Sequence, residues 1–385
     1  MGATSGTERD SRLDLLRGIV MVLMTTDHAR DYAGLSGFPT DPMDLTVAGP
    51  GLFLMRWVTH FCAPVFALLM GASAWLSSRR RSPEELTRHL VVRGLVLLLL
   101  EFSLVDWGSS WNPFWPRKFF QVIAALGVGM IALGLASRLG QRACLVTGCA
   151  IVALHNLTDA VRFPADTVLH YIWSFVHQRN VLPFGGGFEV RTSYPFLPVV
   201  GVALMGYGMG SWIAAGDRRL KYLGAGLVAL FLVLRLGTGY GDLHPLQVTG
   251  QWGHDVLAVL NVTKYPFSLL FVCITVGPAL AYLGWLRNSP ACLRWLATLG
   301  RVPMFYYVVH LWALHVLAIL GALATGYSLT TADIVSRYGW KPVGFGFPAW
   351  VSIPFALGTV AVLFPVCRWY DAQRRDKRWA WSEFL

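Results

Sequence analysis

Apolar runs of close to membrane-spanning length recur along the whole chain, and they limit its fold more than any other feature. A helix needs about 20 mostly apolar residues to cross the hydrocarbon core of a bilayer. In that medium every backbone N–H and C=O must be paired within the segment itself. Runs of this kind cover residues 13–33, 51–76, 90–107, 119–136, 143–157, 196–215, 222–236, 265–285, 304–323 and 349–367. The chain therefore reads as all-α, a polytopic integral membrane protein with about ten transmembrane helices. Composition agrees: 14% of residues are charged and 55% hydrophobic, where a soluble domain carries about 25% charged residues.

The formal net charge of +11 is that of a membrane chain with positively charged cytoplasmic loops. Arg9 and Arg12, Arg79, Arg80, Arg81 and Arg88, Arg138 and Arg142, Arg218, Arg219 and Lys221, Arg287 and Arg294, and the tail from Arg368 to Arg378 all fall on one side. Both termini are then cytoplasmic. Residues 1–12 form a cytoplasmic segment, 13–367 the transmembrane domain and 368–385 a basic cytoplasmic tail. No basic run is interleaved with aromatics as in a nucleic-acid-binding domain, so nucleic acid is not an expected partner. Six scattered cysteines show no CxxC or other zinc spacing, and neither a metal nor a disulfide framework is expected. The first run carries Asp27 and His28 where a cleavable signal has small residues. No internal repeat of the transporter kind is visible.

Ionisable groups inside apolar runs are costly and mark functional candidates. The stretch "LDLLRGIVMVLMTTDHARDYAG" places Arg17 and His28 eleven residues apart, on one helical stripe about 16 Å long. Asp31 follows His28 at i+3 and can reach it, whereas Asp27 points about 100° away, toward another helix. Arg56 and His60 lie at the level of His28, and His310 and His315 lie in the ninth run. Each has an ordinary alternative: a snorkelling arginine for Arg17, a packing histidine for His28, interhelical hydrogen bonds for His310 and His315. Arg93 and Glu101, eight residues apart, pair only through other helices, and the third run ends at Asp106. The loops at 107–118, 177–195 and 239–255 are rich in aromatics, glycine and polar groups. They read either as an aromatic belt or as a platform for a polar acceptor.

The arginine followed by a histidine in the first run resembles the signature of transmembrane acyltransferases that acylate sugars and envelope polymers. Beyond it, "RLDLLRGIVMVLMTTDHARDY", "HFCAPVFALLMGASAWL", "SYPFLPVVGVALMGYGMG", "NVTKYPFSLLFVCITVGPAL" and "GRVPMFYYVVHL" resemble a bacterial branch of the heparan-alpha-glucosaminide N-acetyltransferase catalytic-domain family. The lysosomal relatives have a catalytic histidine in the loop after the first span, where "PTDPMDLTVAGPGL" has none, and an asparagine at the place of His28.

The resemblance implies an acetyltransferase of the bacterial inner membrane, with acetyl-CoA as donor from the cytoplasm and no metal. Its partners would be membrane lipid and a sugar or glycan acceptor on the outer side, with self-association into a homodimer left open. Histidine suits the base, its unperturbed pKa lying near 6.5, so His28 is the catalytic candidate, with Asp27, His60 and His310 beside it. His60 or His310 would serve as second group if an acyl-histidine formed. Arg17 and Arg301 suit the CoA phosphates. Asp31, Arg56, Asp106 and Lys264 are candidates for the acceptor, Lys264 having the alternative of an interfacial anchor. A competing reading is a proton-coupled transporter or carrier of small polar or lipid-linked sugars, with the internal charges as a relay.

Overall fold

A computed structural model describes residues 11–35, 41–112, 114–286, 290–328 and 344–376. Arg9, Arg287, Arg378 and most of the expected terminal segments lie outside the described residues. The helices in chain order are α1 (Ser11–Ala33), α2 (Pro50–Val58), α3 (Cys62–Ser78), α4 (Pro83–Leu100), α5 (Asp106–Ser110), α6 (Val122–Ala136), α7 (Gln141–Leu154) and α8 (Val168–Val176). They continue with α9 (Leu197–Gly208), α10 (Gly210–Ala215), α11 (Arg219–Gly237), α12 (Trp252–Leu260), α13 (Leu269–Trp285), α14 (Arg294–Arg301), α15 (Pro303–Ala324) and α16 (Ser352–Arg375).

Among the described residues five helical stretches are long and apolar enough to cross a membrane: Pro50–Ser78, Val122–Leu139, Arg219–Gly237, Pro303–Ala324 and Ala349–Arg375. Helices α9 and α13 are apolar but shorter. The chain is thus a mostly helical membrane protein. Several expected boundaries move for local reasons. The third run starts earlier, because Ser82 and Glu85 form a reciprocal capping box at the start of α4. The same helix continues through a π-helical turn at Glu101–Val105 into α5. The run at 196–215 breaks at Met209 into α9 and α10. Beyond residue 367, where a tail was expected, α16 stays helical to Arg375 with Tyr370 and Asp371 buried.

Three helix pairs, α4 with α6, α7 with α9 and α11 with α13, each close on facing glycines: Gly94 on Gly127, Gly148 on Gly201 and Gly224 on Gly277. A Cβ at Gly148 or Gly224 would meet the partner backbone at 2.7 or 2.3 Å. This is how small residues let membrane helices approach through their backbones. Helix α1 packs against α14 in the same way, Gly18 against the Leu296 carbonyl and Gly300 against the Asp14 carbonyl. It also touches α3, α15 and α16, so it lies at the centre of the bundle.

The loops carry more structure than their composition suggested. A three-stranded sheet forms from β1 (Arg117–Phe120), β2 (Val181–Gly185) and β3 (Phe188–Thr192) in the order β1-β3-β2. Strands β1 and β3 are parallel, β2 and β3 antiparallel. Gly186 and Gly187 turn the hairpin at φ 60° and 81°, the positive φ that a type I′ two-residue turn requires at both positions.

Candidate active site

One large cavity, about 1530 Å³, extends beside α1 from Ser11 and Arg12 to Asp27 and His28. It exceeds the ~300–1000 Å³ of most small-molecule pockets. Its middle is lined by apolar side chains, Met24, Phe66, Met70, Leu126, Met130 and Met304 among them. One end is basic: among the described residues nine arginines line the cavity, Arg12, Arg17, Arg79, Arg80, Arg81, Arg93, Arg294, Arg301 and Arg374. The acidic lining residues among those described are Asp14 and Asp27, and both are ion-paired. The surplus positive charge suits a phosphorylated ligand, since guanidinium groups match phosphate geometry.

At the other end α1 and α15 bring two histidines together. His28 Nδ1 lies 2.8 Å from His310 Nε2, and His310 Nδ1 lies 2.9 Å from the Tyr306 carbonyl oxygen. A carbonyl only accepts, so the proton of neutral His310 is on Nδ1 and its Nε2 is an acceptor. His28 therefore donates from Nδ1, and its Nε2 keeps a lone pair. His310 is fully buried, whereas His28 lines the cavity. The tautomer of His28 is thus set from behind by His310, and the ring nitrogen left with a lone pair is able to accept a proton.

An ion cluster adjoins it. Asp27 bonds to the Arg56 guanidinium and lies 3.1 Å from Arg30 Nη2, which is also 2.5 Å from Asp31. Asp27 thus pairs with another helix, as its direction on α1 predicts. Asp31 departs from expectation, since no hydrogen bond joins it to His28 and the adjacent guanidinium holds its carboxylate. Arg56 Nη2 donates to the Tyr265 hydroxyl at 3.1 Å, and Tyr265 meets the Tyr194 hydroxyl at 3.4 Å. Lys264 lines the cavity at 9% exposure, with its Nζ 5.3 Å from the Tyr265 ring centre and no carboxylate within ion-pair distance among the described residues.

The other expected residues fall into two groups. Arg17 and Arg301 both line the basic part of the cavity, yet each is already held. Arg17 donates to Asp14 at 2.8 Å and to Ser73, and Arg301 donates to Asp371 at 2.8 Å and to Thr298 at 3.0 Å. His60 and Asp106 do not line the cavity. His60 is buried with its ring 5.3 Å from that of Phe271, and Asp106 pairs with Lys118 at 2.6 Å. Glu101 accepts the Ala124 N–H at 2.9 Å near the start of α6, a carboxylate serving a free amide of another helix's first turn. His315 Nδ1 donates to the Gly108 carbonyl at 2.9 Å, an interhelical bond.

Sequence reasoning missed Arg30, Tyr194 and Tyr265 and the wider arginine set. Arg30 had a signal in its i+3 spacing from Asp27. The tyrosines had one too: Tyr-Pro-Phe occurs twice, at 194–196 before α9 and at 265–267 before α13. The arginines were legible as loop charges, but only packing gathers them around one cavity.

No curated protein matches the chain significantly. A family model described as heparan-alpha-glucosaminide N-acetyltransferase, catalytic, matches residues 9–238, a segment that contains Arg17, Asp27, His28, Arg56 and Tyr194. With well over half its length matched by that model, the chain belongs to the heparan-alpha-glucosaminide N-acetyltransferase catalytic-domain family, a family of membrane acetyltransferases.

Proposed function

We propose that the protein moves an acetyl (acyl) group from acyl-CoA on the cytoplasmic side to a hydroxyl or amine of a sugar or glycan acceptor on the outer side. In this reading it spans a bacterial inner membrane about ten times, with both termini in the cytoplasm. The observation that carries the proposal is the single cavity joining the arginines to His28. A CoA thioester has phosphates at one end, an apolar-tolerant pantetheine arm and a reactive acyl group at the other. The lining follows the same order.

In the reaction His28 Nε2 takes the acceptor proton as the acceptor oxygen or nitrogen attacks the thioester carbonyl. The new C–O or C–N bond forms, the C–S bond breaks, and Nε2 returns the proton to the CoA thiolate. For a hydroxyl acceptor no net proton is released. General-base catalysis of this kind contributes about 10²–10⁴-fold. Lys264, a nearly buried cation with no carboxylate at ion-pair distance among the described residues, opposes charge developing on the carbonyl oxygen. Tyr194 and Asp27 line the acceptor side, and Arg56 and Tyr265 hold them from behind, Arg56 bonding to Asp27 and to the Tyr265 hydroxyl, which meets that of Tyr194.

The test uses purified protein in detergent, with labelled acetyl-CoA and a panel of glucosamine-type sugars, glycan fragments and lipid-linked sugars. Acetyl-CoA is expected to raise the unfolding temperature and to be hydrolysed slowly without acceptor, with label appearing on at least one acceptor. Absence of both stabilisation and hydrolysis refutes the proposal in favour of a transporter or carrier.

A further inference from the structure

At the far end of α7 three side chains converge outside the cavity. Gln141 at the start of that helix donates to Gly208 O at the end of α9 and to Ser211 in α10, whose Ala214 lines the basic part of the cavity. His155 follows the last residue of α7, about 21 Å away along the axis. There His155, Asp159 and His177 offer ligand atoms that all lie within 4.8 Å of one another. His177 Nε2 and Asp159 Oδ1 are 2.8 Å apart. His155 is 4% exposed, and among the described residues neither of its ring nitrogens makes a well-aligned hydrogen bond, the Phe267 backbone offering only a looser one.

A buried imidazole with neither nitrogen well paired is costly, because its polar atoms have lost water and gained little. Here it faces a second buried histidine, the two ring centres 5.2 Å apart, and a carboxylate. We propose that these three residues bind one zinc ion, unrelated to the transfer chemistry. Zinc takes imidazole and carboxylate ligands at about 2.0–2.2 Å in a tetrahedral arrangement, with a water completing the shell, so small side-chain rotations gather the set. Binding needs the Nε2 lone pair of His177: the hydrogen shared with Asp159 leaves Nε2, moving to Nδ1 in a neutral ring or to solvent from an imidazolium, and the nitrogen and oxygen it joined become ligands. Asn156 donates to the other carboxylate oxygen of Asp159 at 2.9 Å and so turns Oδ1 toward the site, as outer partners of metal ligands do. Trp173, with its ring centre 5.1 Å from that of His177, covers one side. The ion would tie the turn after α7 to the end of α8.

The test is zinc alone, added to full-length protein stripped with a chelator and desalted. Calorimetry and elemental analysis should give one zinc per chain, the unfolding temperature should rise by several degrees, and cobalt in its place should show the visible absorption of a tetrahedral site. His155→Ala and His177→Ala should lose the zinc and the temperature shift, and His170→Ala, on the same α8, should keep both. Asp159→Asn keeps the hydrogen-bonding shape and should fold normally while losing the ion. Asn156→Ala should weaken binding about 10–100-fold. Wild-type protein that takes up no zinc, or zinc retained equally by His155→Ala, overturns the proposal.

Discussion

The histidine pair permits a test in which two substitutions are predicted not to add. His310 reaches the reaction only through the 2.8 Å bond to His28 Nδ1. Replacing it by alanine leaves that N–H without its acceptor, which costs about 1–3 kcal/mol for a buried donor. At 1.36 kcal/mol per tenfold, that is a fall of about 5- to 150-fold in kcat. His28→Ala removes the base itself and should cost about 10²–10⁴-fold. The double variant should be no slower than His28→Ala alone, because a residue that acts through another has nothing left to act on. His310→Gln, which can still accept from Nδ1–H, should recover part of the loss. Release of CoA thiol in the presence of acceptor is the assay, with unfolding temperatures recorded for each variant. If the double variant loses the full His310 factor beyond His28→Ala, then His310 acts independently, as an acyl-carrying residue would, and the reasoning fails. His28→Asn sharpens the result: activity near wild type there would show that no proton transfer passes through this position.

Arg17→Gln should raise KM for acetyl-CoA more than it lowers kcat, and should also lower the unfolding temperature because buried Asp14 loses its 2.8 Å partner. Adding Asp14→Asn should restore the temperature but not KM; an unchanged KM in the single variant removes Arg17 from the donor site. Asp27→Asn takes from half-buried Arg56 the anion it shares with buried Arg30, which keeps Asp31 as a partner; it should cost about 1–3 kcal/mol, read as a fall in thermal stability, and an unaltered stability would mean that another group neutralises Arg56. Reporters fused after Arg81 and Arg219 should be cytoplasmic, and those within 107–118 and 177–195 external; either loop reporting from the cytoplasm reverses the proposed direction of transfer.

The helices were legible where the signal is local. Apolar length marked the stretches containing α3, α6, α11, α15 and α16, and the charged positions of α1 stood out against their surroundings. Helix ends were misplaced where they depend on side chains beyond the run, as at Ser82 and Glu85, or where backbone breaks without a polar residue, as at Met209. The sheet was hidden because β1 and β3 are far apart in sequence and each is short and only half buried. The site was legible as a set of residue types but not as an arrangement. His28 and His310 lie 282 residues apart, and nothing local announces that their rings meet while His60, equally apolar in its surroundings, turns to Phe271. Asp106 carried the same intramembrane signal as Asp27, and only the position of Lys118 tells the two apart.

Helix α1 has a further consequence. It carries Arg17 and His28 on one rigid rod, about 16 Å apart, and the glycine contacts with α14 leave it little room to slide. In the proposed reaction the distance between phosphate grip and base is then a fixed gauge, built into eleven residues of helix. A donor that spans the gauge gains from both ends at once, and its second contact forms at high effective concentration. Acetyl phosphate or acetyl-pantetheine is as reactive at the carbonyl but too short or too plain to occupy both marks. Discrimination among acyl donors would thus be measured by length along α1 and not by the fit of the acyl group.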